Sequence, residues 1–184
     1  MSKSINIYLV RHGEAAARWH EASDPGLSAL GLSQAKAVSA AFAARPVRKI
    51  LSSPLRRAQE TSAPLAAVLS LPVTVDDHFR EVPGPTELAA RPAWIAALMQ
   101  STWDAVDNNV IAWRDALWTR LGTLTEDTAI FTHFMVINAL VGRLNAASRV
   151  VYFEPDYCSV TWLQGTNGGA QVRALGATRE TLVL

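Results

Sequence analysis

Two histidines and their arginine neighbours lie where apolar runs of this sequence end, and their types suit phosphate chemistry. Arg11 and His12 follow the first apolar run, Arg56 and Arg57 follow the second, and His133 follows a later one. A single histidine beside an apolar run is more often structural than reactive, but several such residues at equivalent ends favour a site. Arginine forks bind phosphate oxygens, and imidazole is a nucleophile toward phosphorus that can hold a phosphoryl group. The set therefore predicts a phosphate site with a reactive histidine.

The first half of the chain predicts strands that alternate with helices. The run Ile5 to Val10 has the composition of a strand buried on both faces, and Ser28 is a suitable N-cap for the helix that follows. The stretches KILSS and LPVTV predict two more strands. Between them, Ser53 is expected to be an N-cap and Pro54 the first helical residue, so that the helix presents free backbone donors to an anion.

The second half continues the alternation after a polar stretch at 76–92, where the prolines predict an ordered loop. Helices are predicted at 93–100 and 108–121, a strand at DTAIFT, and a buried helix at FMVINALVGRL. CSVTWLQ and AQVRALG predict two final strands around the turn GTNGG, with Cys158 buried in the first of them. The pattern predicts an α/β fold: a three-layer αβα sandwich around a largely parallel sheet. We expect the chain to form a single domain over 1–184, with a short helical lid insertion at 82–125. Ligands are expected to bind beyond the carboxyl ends of the strands.

Composition narrows the class of protein. The 184 residues are 49% hydrophobic and 18% charged, which is typical of one globular domain. A net charge of +1 provides no large basic field, so nucleic acid is not an expected partner. A single cysteine excludes an internal disulfide framework. The N-terminal residues do not have the pattern of a signal peptide, and no apolar run approaches the roughly 20 residues that cross a bilayer, so we expect a cytoplasmic protein without a membrane partner.

Five stretches together resemble the histidine phosphatase superfamily, the phosphoglycerate-mutase-like proteins. LVRHGEA resembles the nucleophile motif of that family, and LSALGLSQA the helix after the first loop. SSPLRRAQETSAPLA resembles its second arginine motif, FREVPG the loop that carries its acid, and AIFTHFMVI the segment with its second histidine. The motifs occur in the family order and span roughly residues 5 to 140.

The resemblance implies a role for each matching residue. His12 becomes the phosphorylated nucleophile, and Glu81 the donor of a proton to the leaving alcohol and then the base that activates water. Arg57 is preferred to Arg56 because it directly precedes Ala58, as in the family's arginine and alanine pair. The implied phosphate pocket contains Arg11, Gly13, Arg57 and His133. Within it, His12 should react as neutral imidazole and His133 should act best as a cation.

Two stretches depart from the family pattern. Arg18 stands where related mutases and phosphatases have an asparagine, and we expect it either to contact the substrate or to form a surface salt bridge. VPGPTELAARP lacks the usual glycine, tryptophan, glutamate and glycine run, which alters the expected lid. The tryptophans around that lid either pack the insertion or line the substrate entrance. There are four of them: Trp94, Trp103, Trp113 and Trp118. No cofactor is expected, and no metal either, because no helical histidine pair has metal-binding spacing.

The length between two site residues favours hydrolysis over isomerisation. Only 51 residues lie between Glu81 and His133, which is short for the insertion with which mutases of the family enclose a bisphosphate. We therefore expect a metal-independent phosphatase that acts on a small phosphorylated substrate. The alternatives are mutase-type phosphoryl transfer, a phosphatase of phosphohistidine on proteins, and a noncatalytic binder of phosphorylated ligands. The sequence carries no signal for an oligomeric state.

Overall fold

Six strands form one mixed sheet in the computed structural model, which describes residues 4–42, 44–166 and 169–178. The strands are β1 (Ile5–Arg11), β2 (Lys49–Ser52), β3 (Val73–Val75), β4 (Thr128–Thr132), β5 (Val160–Thr166) and β6 (Gly169–Ala174). Their order across the sheet is β3-β2-β4-β1-β5-β6. The first four are mutually parallel. β5 runs antiparallel to β1, and β6 runs antiparallel to β5. The prediction of a largely parallel sheet is confirmed.

Five helices accompany the sheet in the described part of the chain. They are α1 (Ala29–Ala41), α2 (Arg56–Leu69), α3 (Arg91–Gln100), α4 (Asn108–Gly122) and α5 (Phe134–Leu144). Short 3₁₀ turns at Asp77–Phe79 and Leu88–Ala90 order the polar stretch before α3, which was predicted as a loop. Residues 82–125 thus contain α3 and α4, in agreement with the predicted helices. Within the described ranges, no helix is long and apolar enough to cross a membrane.

The sheet separates two hydrophobic cores because alternate strand residues point to opposite faces. In β1, Ile7 and Leu9 belong to a core that also contains residues of α3, α4 and α5. Tyr8 and Val10 belong to a second core, formed with residues of α1 and α2. All four side chains are buried, which is why this strand reads as a continuous apolar run. Helices on both faces confirm the three-layer αβα sandwich.

The register of the parallel strands aligns the ends that carry the predicted site. Arg11 at the end of β1 is paired with Thr132 at the end of β4, and Phe131 is paired with Ser52 at the end of β2. The next residue of each strand therefore emerges at the same edge of the sheet. The backbone register alone therefore brings the three strand ends together.

The start of α2 differs from the prediction. The helix begins at Arg56, and its N-cap is Leu55, which makes no capping hydrogen bond through its side chain. The expected cap, Ser53, accepts from the Leu55 N–H at 3.2 Å, and its hydroxyl also lies 2.7 Å from a ring nitrogen of His133. The Arg56 N–H donates to Asp24 at 2.9 Å. The prediction that Pro54 opens the helix and presents free donors is wrong: the helix starts two residues later, and the Leu55 and Arg56 N–H groups are already bonded to Ser53 and Asp24.

Cys158 also lies elsewhere than predicted. It is half-buried in a turn before β5, with a left-handed φ of 53°, and the strand starts only at Val160. Burial raises the pKa of its thiol to about 12, so the sulfur has little thiolate character at neutral pH. The centre of the turn predicted between the last two strands, residues 167–168, lies outside the described residues.

Replacing Gly31 by alanine is expected to destabilise the fold. A Cβ at Gly31 would overlap the carbonyl oxygen of Glu14, which is backbone and cannot move aside alone. We expect the free energy of unfolding to fall by about 1 to 3 kcal/mol, the usual cost of overpacking. Urea denaturation measures this change. The matched control is Gly122→Ala at the end of α4, where a Cβ meets nothing within 4 Å; equal destabilisation by both variants would contradict the packing argument.

Candidate active site

The ends of three adjacent strands place two imidazoles side by side. The His12 N–H donates to the Thr132 carbonyl at 2.9 Å, and the Ser53 N–H donates to the Phe131 carbonyl at 2.9 Å. These bonds extend the sheet ladder by one residue and fix the backbone that carries both histidines. As a result, the ring centroids of His12 and His133 are 5.1 Å apart.

The guanidinium of Arg57 lies between the two imidazoles. Its Nε–H donates to Nε2 of His12 at 3.1 Å, and its Nη2 is 3.2 Å from Nδ1 of His133. Arg57 enters from the first turn of α2, where its own carbonyl accepts a bond from the Thr61 hydroxyl at 2.6 Å. The structure thus brings together His12, Arg57 and His133, which are far apart in the sequence.

Because guanidinium only donates hydrogen bonds, these contacts determine where the imidazole protons lie. Nε2 of His12 accepts from Arg57, so its proton is on Nδ1, which is 2.7 Å from the Gly13 carbonyl oxygen. Nδ1 of His133 likewise accepts, so its proton is on Nε2 and is donated to the Ser53 hydroxyl at 2.7 Å. Both rings are neutral in this arrangement, and the lone pair of His12 points toward Arg57.

Burial and positive charge lower the pKa values of both histidines. The pKa of His12 lies well below 6.5, first because the ring is buried and then because Arg57 and Arg11 are close. The pKa of His133 is lowered in the same way, by burial and then by Arg57 and His12. The site therefore keeps its imidazoles neutral near pH 7 unless an anion enters it.

Arg57 carries a buried charge that lacks a close carboxylate. The residue is 5% exposed, and burial lowers its pKa. Its Nη1 has no hydrogen-bond partner, and it takes part in none of the ion pairs found among the described residues. A buried cation in this position is costly by itself, so the arrangement favours the binding of an anion.

Arg11 reaches the site from the last position of β1 and is held by residues near the C-terminal strands. Its Nη1 donates to the Pro155 carbonyl at 2.8 Å, and its Cζ lies 4.1 Å from the ring centroid of Tyr157 and 5.3 Å from that of Phe134. Cation–π contacts of this kind orient a guanidinium. Sequence reasoning missed Tyr157, because the contact joins segments that no local pattern connects.

Glu81 stands beside the start of α5, on the loop after the first 3₁₀ turn. Its carboxylate accepts from the Val82 N–H at 3.0 Å and from the Met135 N–H at 3.5 Å. The loop is anchored by buried Val82 and by the bond from the Thr132 hydroxyl to the Phe79 carbonyl at 2.8 Å. Burial raises the pKa of the Glu81 carboxyl, although the Val82 N–H and the charge of Arg57 act in the opposite direction.

Gly13 shapes the loop that leaves β1. Its N–H donates to the Thr61 hydroxyl at 3.0 Å, and a Cβ on it would lie 2.7 Å from the Gly31 carbonyl oxygen. The close approach of these two backbones explains the glycine after His12. It also brings the Gly13 carbonyl under the imidazole, where it accepts the proton of Nδ1.

A cavity of about 390 Å³ opens directly above this cluster. Arg11, His12, Arg57 and Glu81 line its inner end, and exposed Arg18 lines its mouth. Gly13 and His133 do not line it; they contact His12 and Arg57 from within the protein. The volume is typical of a site for a small molecule.

The tryptophan that lines this cavity is not one of the four predicted around the lid. It is Trp19, from the loop after β1, and Trp94 packs against it with ring centroids 6.1 Å apart. Trp103, Trp113 and Trp118 instead pack against the core formed by α3, α4 and α5. Trp103 lies between α3 and α4 rather than on a helix, and its side chain is buried.

A match to a protein-family model over most of the sequence identifies the family of this chain. The family model of the histidine phosphatase superfamily (branch 1) matches residues 7–178. The chain belongs to this superfamily. The match includes every residue of the cluster described above, from Arg11 to His133.

Curated relatives of this histidine phosphatase superfamily member match shorter segments. An uncharacterized protein of Mycobacterium tuberculosis is 42% identical over 89 residues, which are 44% of this chain and 42% of the relative. A protein of Yersinia pestis named a probable phosphoglycerate mutase is 35% identical over 82 residues, which are 42% of this chain and 38% of the relative. The chain thus matches less than half the length of these relatives.

A solved structure supports the fold over nearly the whole chain. The mycobacterial glucosyl-3-phosphoglycerate phosphatase superposes with a TM-score of 0.74, covering 96% of this chain and 100% of that one. The two sequences are 21% identical. The shared feature is therefore the α/β architecture with helices on both faces of the sheet.

The lowered histidine pKa values predict that stability rises with pH in the mildly acidic range. Below about pH 6.5 the unfolded chain binds protons at His12 and His133 that the folded protein excludes. The free energy of unfolding should therefore increase between about pH 5 and pH 6.5, by up to about 1.4 kcal/mol per pH unit for each histidine. Urea denaturation across this range measures the slope.

Two variants separate the contributions to that slope. His133→Asn removes one histidine and should make the slope shallower. Glu81→Gln should make it steeper, because the raised pKa of Glu81 lets the folded protein retain a proton that the unfolded chain has lost. A stability that is flat or falls with rising pH in the parent protein would contradict the assignment.

Proposed function

We propose that this protein is a phosphatase that hydrolyses phosphate monoesters through a phosphohistidine formed on His12. The observation that carries the proposal is the position of Arg57, whose buried guanidinium contacts the reactive nitrogen of His12 and the ring of His133. A buried cation beside a neutral imidazole is what attack on a phosphate dianion requires. The chemistry needs no metal or other cofactor. The cytoplasmic location expected from the sequence stays a prediction.

The phosphate of the ester binds at the inner end of the cavity. Arg57 turns its N–H groups from the imidazoles to the phosphate oxygens, which frees the lone pair on Nε2 of His12. Arg11, fixed by Pro155 and Tyr157, supplies the second guanidinium. Once Arg57 has left its ring, His133 can take up a proton beside the dianion and donate from Nδ1 to a phosphate oxygen.

In the first step, Nε2 of His12 attacks phosphorus and the bond from phosphorus to the ester oxygen breaks. The Glu81 carboxyl donates its proton to that oxygen, so the alcohol leaves neutral. The raised pKa of Glu81 favours the protonated acid that this step consumes. The Gly13 carbonyl stabilises the positive charge on the ring of His12, because it accepts the Nδ1 proton at 2.7 Å.

In the second step, the Glu81 carboxylate takes a proton from water as the water oxygen attacks phosphorus. The bond between phosphorus and Nε2 breaks, its electron pair returns to His12, and inorganic phosphate leaves. Both steps depend on positioning and on charge stabilisation by the arginines. We propose that exposed Arg18, at the mouth, attracts the dianion during approach.

Hydrolysis is proposed over the alternatives for specific reasons. A mutase must hold its phosphorylated intermediate away from water, and the short segment between Glu81 and His133 offers little additional cover. The name of the Yersinia pestis relative keeps mutase-type transfer as the second candidate, over the segment that it shares with this chain. A phosphohistidine on a protein would have to enter a cavity of about 390 Å³, which is better suited to a small molecule. A noncatalytic binder would need the arginines but neither the nucleophile His12 nor the acid Glu81 in the cavity lining.

The covalent intermediate provides the direct test of the nucleophile. Rapid quenching in base during turnover of p-nitrophenyl phosphate, without added metal, should trap a phosphoryl group on His12 that is stable in base and is lost when the quenched protein is acidified. His12→Ala should abolish trapping and reduce hydrolysis by at least about 10³-fold. His78→Ala, at an exposed histidine that contacts Asp76, is the matched control and should retain both. Full activity after His12→Ala would disprove the mechanism.

The role of Glu81 predicts a dependence on the leaving group. Glu81→Gln should slow esters of poorly acidic alcohols by about 10²- to 10⁴-fold, because those oxygens need a proton to leave. p-Nitrophenyl phosphate, whose leaving group needs no proton, should be slowed much less in the phosphorylation step. Single-turnover rates on a series of aryl and alkyl phosphates measure the difference. Equal slowing across the series would assign the acid to another residue.

A further inference from the structure

Much of the lining of the active-site cavity is apolar. Apart from the charged residues and His12, the cavity is lined by uncharged side chains. The large ones are Trp19, Ile95, Met99, Phe134 and Met135. We call this set the apolar wall. It draws residues from the loop after β1, from α3 and from the start of α5, so three separate segments contribute to one surface.

Trp19 is held firmly in this wall. Arg91 donates from Nη1 to the Trp19 carbonyl at 3.1 Å and places its Cζ 4.9 Å from the centroid of the indole ring. The ring of Trp94 packs beside it, and a Cβ on Gly84 would come within 2.5 Å of the indole. The absence of a side chain at Gly84 therefore leaves the space that Trp19 fills. A fixed aromatic surface of this kind binds apolar groups at low entropic cost.

The charges around the cavity do not provide for a second anion. Arg11 and Arg57 are committed to the phosphate end, and Arg18 is exposed, where solvent and salt screen its charge. Glu154 also lines the cavity, and its carboxylate would repel an acidic leaving group. A carboxylate or second phosphate on the alcohol would lose its hydration against the apolar wall without gaining a buried cationic partner.

We propose that the apolar wall binds the alcohol portion of the ester, and that the preferred substrates are phosphate monoesters of uncharged aromatic or branched aliphatic alcohols. The inference rests on the proposed function, since it concerns the leaving group of that reaction. Trp19 is then a specificity-determining residue, together with Ile95 and Met99 from α3. Phosphorylated acids and bisphosphates are poor substrates for the same reason.

Three alkyl esters test the proposal in the intact 184-residue chain: benzyl phosphate, glycerol 3-phosphate and 3-phosphoglycerate. All three release an alcohol, so differences in kcat/KM report mainly on binding of the leaving group. We expect benzyl phosphate to exceed each of the others by about 10-fold or more, the discrimination that a few buried apolar groups provide. Equal values, or a preference for 3-phosphoglycerate, would overturn the proposal.

Variants of the wall locate the preference. Trp19→Ala should lower kcat/KM for benzyl phosphate by about 10-fold while changing that for glycerol 3-phosphate by less than about 3-fold. Trp118→Ala removes a tryptophan that stacks on Arg143 outside the cavity and should leave the ratio unchanged. Met99→Arg should shift preference toward 3-phosphoglycerate, because it supplies the missing cation. A benzyl preference that survives both wall variants, or that Trp118→Ala also abolishes, would place the specificity elsewhere.

Two further results separate this proposal from the proposed function. Arg18→Ala should reduce kcat/KM for all three esters by a similar factor, and that factor should become smaller as salt is added. A selective loss with 3-phosphoglycerate would mean that Arg18 binds a second anion, which would contradict the proposal. Hydrolysis abolished by His12→Ala, but with phosphorylated acids preferred, would overturn the substrate class alone. Hydrolysis unaffected by His12→Ala would overturn the proposed function as well.

Discussion

The geometry of the site depends on one interaction, the contact of the Arg57 guanidinium with both imidazoles. Its donors fix the proton of His12 on Nδ1 and that of His133 on Nε2, and its charge contributes to the low pKa of each ring. The same guanidinium is buried and has an unpaired nitrogen. It thus prepares a neutral nucleophile and attracts the anion that the nucleophile would attack.

The rest of the fold supports this contact from two sides. The parallel register of β1, β2 and β4 sets the backbone of His12, Ser53 and His133 at one edge of the sheet. The Thr61 hydroxyl ties the first turn of α2, which carries Arg57, to the N–H of Gly13 beside the nucleophile. Because these links are short and buried, the site geometry belongs to the rigid part of the molecule. Trp19 and α3, which contribute to the apolar wall, take no part in these links.

Sequence patterns predicted the parts of the structure that follow from local chemistry. β1 and α5 could be placed because a buried strand and a buried helix have apolar patterns that few alternatives share. The start of α2 could not, because the Ser53 hydroxyl also bonds to His133 and the Arg56 N–H bonds to Asp24, and both partners are distant in the sequence. The contact of Arg11 with Tyr157 and the position of Trp19 in the cavity wall were missed for the same reason. Motif resemblance selected Arg57 over Arg56, and the structure supplies the physical difference: Arg57 is buried between the imidazoles, whereas Arg56 is exposed and pairs with Glu60.

Histidine ring ¹⁵N NMR at neutral pH tests the account most directly, because it reports which nitrogen carries each proton. Without added anion, we expect neutral rings with His12 protonated on Nδ1 and His133 on Nε2. On saturation with inorganic phosphate, His133 should gain a second proton while His12 keeps its tautomer. A His12 ring protonated on Nε2, or a cationic His12 without anion, would contradict the role assigned to Arg57 and with it the proposed nucleophile.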